Sequence, residues 1–240
     1  MRTAPLFPAM VLAVALPAAA STFARPAHAD SDDPQRMAEV GIGTGYVYRR
    51  ATTSSNANPG RVAYGGSIGI DVHGRAYITP WLRIAMYYLA GHESVEVPHG
   101  PGTPYDQLSI DSAWAFSLGG RLEPTWQVTD RFRAFAIVGA GWGRMKTYEM
   151  RMASGSLTYE VDPRAGVWVE CPMGLGATFD IWPRRLGLSF ESTIAPHTSQ
   201  SGTLFAPVQY IDSQGRVGHV PPMPTLSTTL ATMLNVVVVL

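Results

Sequence analysis

The sequence predicts an all-β fold, an antiparallel transmembrane up-and-down β-barrel, most simply of eight strands. Three observations carry this. First, the stretch from about Leu226 to Leu240 alternates residue by residue. Leu226, Thr228, Leu230, Thr232, Leu234, Val236, Val238 and Leu240 form one row, and Ser227, Thr229, Ala231, Met233, Asn235, Val237 and Val239 the other. A period of two marks a β-strand with two unlike faces. A strand this long with one apolar row suits a barrel that closes in lipid with no free edge. Second, seven further alternating segments precede it, joined by connections that are short and long in turn. Third, glycine and aromatic residues are plentiful, and no apolar run after the N-terminal region is long enough for a spanning helix.

The segments follow in order. About Ala38–Tyr48, Val40, Ile42, Thr44, Tyr46 and Tyr48 oppose Gly41, Gly43 and Gly45. About Ala63–His73, Tyr64, Ile68, Ile70 and Val72 oppose Gly65, Ser67, Gly69, Asp71 and His73. The third runs about Trp81–Ala90, with Leu82, Ile84, Met86 and Tyr88 against Arg83 and Ala85. The fourth, about Leu108–Arg121, sets Ile110, Trp114, Phe116 and Leu118 against Asp111, Ala113, Ser117 and Arg121. The fifth, about Phe132–Tyr148, has less distinct faces. The sixth, about Gly166–Ile181, contains Pro172, which removes a ladder donor and predicts a bulge or kink there. The seventh is about Leu186–Ile194 and the eighth about Leu226–Leu240.

Connections at Gly74–Pro80, Leu122–Arg131 and Trp182–Arg185 are short; those over 49–62, 91–107, 149–165 and 195–225 are long. Three short turns and four long loops fit eight strands with both ends inside the cell envelope. In the last loop, Leu204–Ile211 and Arg216–Val220 flank Asp212-Ser213-Gln214-Gly215 and read as a projecting hairpin. If that hairpin joined the barrel, the count would be ten strands.

The N-terminal region places the barrel. A basic start at Arg2, an apolar stretch from Leu6 to Ala20 and Ala27-His28-Ala29 before Asp30 have the pattern of a secretory signal peptide over residues 1–29. Residues 30–37 then form a short periplasmic segment, and 38–240 the barrel. Residues 1–29 carry Arg2 and Arg25 and no acid, so 211 residues with 16 basic and 18 acidic side chains remain, a net charge of −2. That balance argues against a nucleic-acid partner. The single Cys171 allows no internal disulfide.

Tyr77, Trp81, Trp126 and Trp182 fall near the short turns, and Tyr46, Tyr48, Tyr64, Tyr88, Trp142 and Tyr148 near the opposite ends. These predict two aromatic girdles at the two membrane interfaces. The inward rows hold Asp71, His73, Arg83, Asp111, Arg121, Arg133, Glu170, Asp180 and Glu191. Charges in a narrow lumen must pair or stay wet, which predicts a cross-strand network that fills the barrel. A narrow ion path gated by these charges is the alternative.

With its leader, alternating strands, Thr79-Pro80-Trp81 turn and terminal strand, the chain resembles small eight-stranded outer-membrane barrels of the OmpA/OmpX type over about residues 38–240. The resemblance implies an outer-membrane location, contact with outer-membrane lipid and insertion by the outer-membrane assembly machinery. Such barrels often end in an aromatic residue; this chain ends in Leu240.

No motif points to a cofactor. Gly41-Ile42-Gly43 and Gly139-Ala140-Gly141 lack the spacing and the following helix of a nucleotide site. His92, Glu93 and His99 share one loop but match no defined metal-ligand spacing. His197-Thr198-Ser199 is similar to the His-x-Ser pair of outer-membrane lipid A deacylases, with Asp212 as the available downstream carboxylate, although Gln200 stands where that family has Asn. That similarity implies a serine hydrolase as the least favoured reading. The sequence favours a non-enzymatic outer-membrane protein with a structural or surface-interaction role. Its loops would meet an extracellular partner that no motif identifies.

Overall fold

A computed structural model describes residues 38–51, 63–96, 108–110, 112–148, 150–154, 157–183, 185–211, 215, 217–220, 222–223 and 225–240. The sequence-predicted leader (1–29) and periplasmic segment (30–37) lie outside these residues, as do Asp111, His99 and Asp212.

Elements in chain order are β1 (Ala38–Ala51), β2 (Ala63–Tyr64), β3 (Ser67–Thr79), β4 (Leu82–Glu93), β5 (Val95–Glu96), β6 (Leu108–Ile110), β7 (Ala113–Thr129) and β8 (Phe132–Thr147). They continue with β9 (Met150–Ser154), β10 (Leu157–Val161), β11 (Ala165–Glu170), β12 (Met173–Trp182) and β13 (Leu186–Ser201). A 3-10 turn, η1 (Thr203–Phe205), then precedes β14 (Val208–Ile211), β15 (Val217–Val220) and β16 (Leu226–Val239).

All pairings in the main sheet are antiparallel. β1 pairs with β3, β3 with β4, β4 with β7 and β7 with β8. β11 and β12 together form the next stave between β8 and β13. β13 pairs with β16, and β16 returns to β1 from Glu39↔Val239 to Ala51↔Leu226. The ring therefore closes with eight staves, which removes the unpaired edges that lipid cannot satisfy. β14 and β15 pair only with each other, so the last-loop hairpin stays outside the barrel and the ten-strand alternative falls.

Side-chain direction follows the alternation. Outward residues are large and apolar: Ile68 is 80% exposed, Met86 74% and Leu175 68%, which makes an apolar belt. Inward rows carry the charged and polar side chains and many glycines, interleaved with buried apolar and aromatic residues such as Leu89, Phe135, Trp168 and Met233. This is the reverse of a water-soluble domain and suits a barrel whose solvent is hydrocarbon.

Three short turns close one end, hereafter the turn end. Pro80-Trp81 joins β3 to β4, Asp130-Arg131 joins β7 to β8, and residues 183–185 join β12 to β13. In the second, Thr129 Oγ1 accepts the Phe132 amide at 3.1 Å, a side-chain bond that fixes the tight reversal. Each turn is flanked by a register shift, at Tyr77/Thr79, Gln127/Thr129 and Asp180/Trp182.

The observed strands run further toward the turns than the sequence reading placed them. β3 continues to Thr79 rather than ending near His73, and β7 continues to Thr129 rather than Arg121. At the loop end, Ala63–Tyr64 and Leu108–Ile110 leave the barrel strands and pair instead with β5 and β9. Gly65 and Gly66 separate β2 from β3, where a side chain at Gly66 would meet the Tyr46 ring.

Pro172 does interrupt a strand, between β11 and β12, but the register runs through the break: Glu170 pairs with Gly141 and Met173 with Val138. Gly139 still donates to Pro172 O at 2.8 Å, and Cys171 N donates to Pro196 O at 3.0 Å. The bulge itself lies at Val169/Glu170, opposite Thr198. Pro172 and Pro196 each remove one return bond from these pairs, which breaks the ladder without shifting it.

Candidate functional site

The candidate site is the charged interior, built by inward positions of all eight staves. It is layered along the barrel axis.

Nearest the turns, Glu39 on β1 is the centre. It accepts Arg83 Nη1 at 3.0 Å and Arg133 Nη1 at 2.7 Å, and Tyr77 Oη donates to it at 3.2 Å. Arg133 also reaches Asp180 at 3.3 Å and donates to the Tyr77 hydroxyl. Arg83 Nη2 pairs with Glu123 at 2.7 Å. Tyr77 is therefore a lumen residue, a correction to its predicted place in the aromatic girdle. It lies two residues beyond Arg75 on the same inward row of β3, because that strand is longer than the hydrophobic pattern suggested.

The next layer centres on Glu191. Arg75 and Arg121 pair with it, Arg121 at 3.0 Å, and Asn235 Nδ2 donates to it at 3.3 Å. Arg75 also pairs with Glu123 at 2.9 Å, linking this layer to the one below. Aromatic rings pack between the guanidiniums: Arg83 and Arg75 lie 4.5 and 5.0 Å from the Phe135 centroid, and Arg121 lies 3.9 Å from Tyr87. A ring face attracts a cation and fills space that a second carboxylate would charge.

Asp71 and His73, two apart on β3, are joined by a 2.6 Å contact. Their donor atoms and those of Glu191 lie within 4.8 Å of one another, the one such cluster of potential metal ligands among the described residues. Glu191, however, is already held by two guanidiniums, which supply the positive charge a metal ion would bring.

Higher still, Glu170 accepts Tyr87 Oη at 2.8 Å, Ser117 Oγ at 2.9 Å and Trp168 Nε1 at 2.9 Å. The Trp168 ring stacks on His197 with centroids 5.2 Å apart, and His197 Nε2 meets Thr229 Oγ1 at 2.9 Å. Gly143 makes room for Trp168; a Cβ there would collide with the indole. At the top, Arg49 pairs with Glu93, which also accepts Ser67 Oγ at 3.2 Å. Over the rim, Arg164 donates to the carbonyls of Thr203 and Ala206, and Leu204 and Met223 are buried beneath that loop.

The predicted lumen residues Asp71, Arg83, Arg121, Arg133, Glu170, Asp180 and Glu191 all lie buried in this interior. Asp111 lies outside the described residues. Sequence reasoning missed Arg49, Arg75, Glu93 and Glu123, which sit just past the predicted strand ends, and Glu39, which falls inside the first predicted segment but ahead of its first apolar outward residue. Trp81, Trp126, Trp182 and Tyr46 are exposed on the outside, with Tyr48 half-buried on the same outward row.

His197 and Ser199 do not form a catalytic pair. The bulge at Thr198 reverses the pleat between them, leaving the imidazole inside with Glu170 and Thr229 and Ser199 exposed opposite Val169. Nor do His92 and Glu93 share a site: His92 stacks outside on Tyr148, and Glu93 points in to Arg49.

No protein-family model and no curated protein matches the chain. Among solved structures, a major outer membrane protein from Thermus thermophilus matches with TM-score 0.51 and 11% identity, over 84% of this chain and 98% of that one. Neisserial surface protein A gives 0.48 and 10%, over 85% and 97%; Ail of Yersinia pestis gives 0.44 and 11%, over 84% and 98%. The Thermus match is named as an outer-membrane protein, and an identity this low speaks to architecture alone. With its closed ring of eight antiparallel staves and its outward apolar belt, the chain has the fold of the small outer-membrane β-barrels of the OmpA/OmpX type.

Proposed function

We propose that this protein is an outer-membrane β-barrel with a plugged interior and a structural or surface-interaction role in the cell envelope, with no channel or enzymatic activity of its own. In this reading residues 1–29 are a cleaved signal peptide and 30–37 a periplasmic segment. The belt meets outer-membrane lipid, the assembly machinery inserts the strands, and the long loops face outward to an extracellular partner.

The observation that carries the proposal is the pairing of the lumen charges. From Glu39 near the turns to Arg49 near the loops, ion pairs and hydrogen bonds cross between staves, and every arginine involved is at most 6% exposed. A solute moving through would have to break buried pairs, each costly to separate. An eight-stranded interior is only wide enough for its own side chains.

The test is conductance of the folded mature chain in a planar bilayer. Silence from protein shown to be folded is expected. Discrete single-channel openings whose size changes in Arg121→Gln would overturn the plugged reading in favour of a narrow pore.

A further inference from the structure

The outer surface of the barrel has a charge asymmetry that the interior network does not explain. Among the described residues, every acid on the barrel staves points inward: Glu39, Asp71, Glu93, Glu123, Glu170, Asp180 and Glu191 are all buried. The exposed outward cations on those staves are Arg50 on β1 and Arg144 and Lys146 on β8, each in one of the last two outward positions before the loop end. Among the described stave residues the belt is therefore uncharged along its length, and the exposed lysine and arginine side chains there gather near the loop end; off the staves, the acid Asp162 is exposed three residues before Ala165, which pairs with Lys146.

Arg144 and Lys146 are two apart on one face, about 7 Å along the strand. Neither makes a hydrogen bond or ion pair with any described residue. Arg144 sits beside Phe116 across the β7–β8 ladder, and Phe116 packs edge to face on Trp142, with centroids 5.7 Å apart. Above Lys146, Tyr148 stacks with His92 at 5.8 Å. The two cations thus lie between an apolar aromatic floor and an amphipathic rim, the depth at which hydrocarbon gives way to headgroups.

We propose that Arg144 and Lys146 bind the phosphorylated sugar headgroup of an outer-leaflet glycolipid, whose acyl chains lie along Phe116 and Trp142. This rests on the outer-membrane reading above. Charge complementarity selects the occupant. A cation at the lipid boundary needs an anion, and a guanidinium matches a phosphate in shape as well as in charge. A zwitterionic lipid brings an ammonium that two neighbouring cations repel. A glycolipid carrying two phosphates brings two anions and no cation, and its saccharide can stack on the Tyr148–His92 rim.

The test is native mass spectrometry of the full mature chain, folded in detergent, with bis-phosphorylated lipid A and with the same lipid stripped of both phosphates as probes. Wild type retains the phosphorylated lipid. The double variant Arg144→Gln/Lys146→Gln weakens binding at least about tenfold, since each cation near a charged membrane surface contributes on the order of one decade or slightly less. Arg131→Gln, which removes an exposed cation at the turn end, leaves binding unchanged. The stripped lipid binds wild type no better than the phosphorylated lipid binds the double variant.

Equal binding by wild type and double variant overturns the site, as does equal binding of both lipids. So does a soluble sulfated sugar that competes fully for these residues while the lipid does not bind. Heat-modifiable gel migration is recorded for every variant. A wild type that stays soluble without detergent strikes the outer-membrane reading; a folded barrel indifferent to the two substitutions strikes only this inference.

Discussion

Arg83 joins carboxylates on two other staves, Glu39 on β1 and Glu123 on β7, and covers the Phe135 ring. Losing its guanidinium leaves both acids inside with fewer partners, and removing one side of a buried pair costs about 3–5 kcal/mol. Arg83→Met keeps most of the volume and is expected to lower the unfolding free energy by that amount, read from urea titrations in lipid vesicles. An unchanged midpoint would mean that water already solvates those carboxylates. Arg83 was legible in the sequence because it stands in a clean alternation, with Leu82, Ile84 and Met86 on the other face. Its partners were not. Glu39 precedes the first apolar outward residue, and Glu123 follows what looked like the end of a strand. Tyr77 failed for the same reason: a tyrosine beside a turn fits a girdle equally well until the parity of β3 is known through to Thr79.

The staves were visible in the sequence because outward rows in lipid are nearly uniform in hydropathy. Of the loop-end strands, β5, β9 and β10 were not visible because they carry no such row, and β2 and β6 were read as the ends of barrel strands although they pair with β5 and β9 instead; pairing outside the belt is set by neighbours rather than by period. Pro172 shows the limit of a local rule. A missing donor predicts a distortion, yet flanking pairs on β8 hold the register across it, and the bulge falls at Thr198 on the opposite strand. The β14–β15 hairpin was anticipated, and its pairing is wholly internal. Replacing residues 208–220 with a short Gly-Ser linker should therefore leave the barrel able to fold. Leu204 and Met223, whose backbones bond at 2.9 Å, remain to close the rim. Loss of heat-modifiable migration in that deletion would show instead that the hairpin takes part in barrel assembly.

At the scale of the whole molecule, the barrel reverses the usual partition of polar and apolar surface, and its tryptophans report this directly. Of the six in the chain, Trp168 points into the lumen and is 1% exposed, hydrogen-bonded to Glu170; Trp114, Trp126, Trp142 and Trp182 stand on outward rows, and Trp81 is exposed in the β3–β4 turn. Trp81, Trp126 and Trp182 mark the turn end, and Trp114 and Trp142 the loop half. In vesicles of lipid brominated along the acyl chain, single-tryptophan variants should divide into two classes. Trp142 and Trp126 should be strongly quenched, because both stand on the outward face of the belt; Trp168 should be spared, because a full stave of backbone and the Glu170 layer separate it from hydrocarbon. Moving the bromines toward the bilayer centre should weaken quenching at Trp81 and Trp182 most, since girdle residues sit at the headgroups. Quenching of Trp168 as strong as that of Trp142 would require lipid in the lumen or an inverted register. Because one residue of register slip exchanges the two faces of a strand, the inverted case would place Glu170 and Glu191 in the bilayer. The pairing of those acids with Tyr87, Ser117, Arg75 and Arg121 weighs against that arrangement.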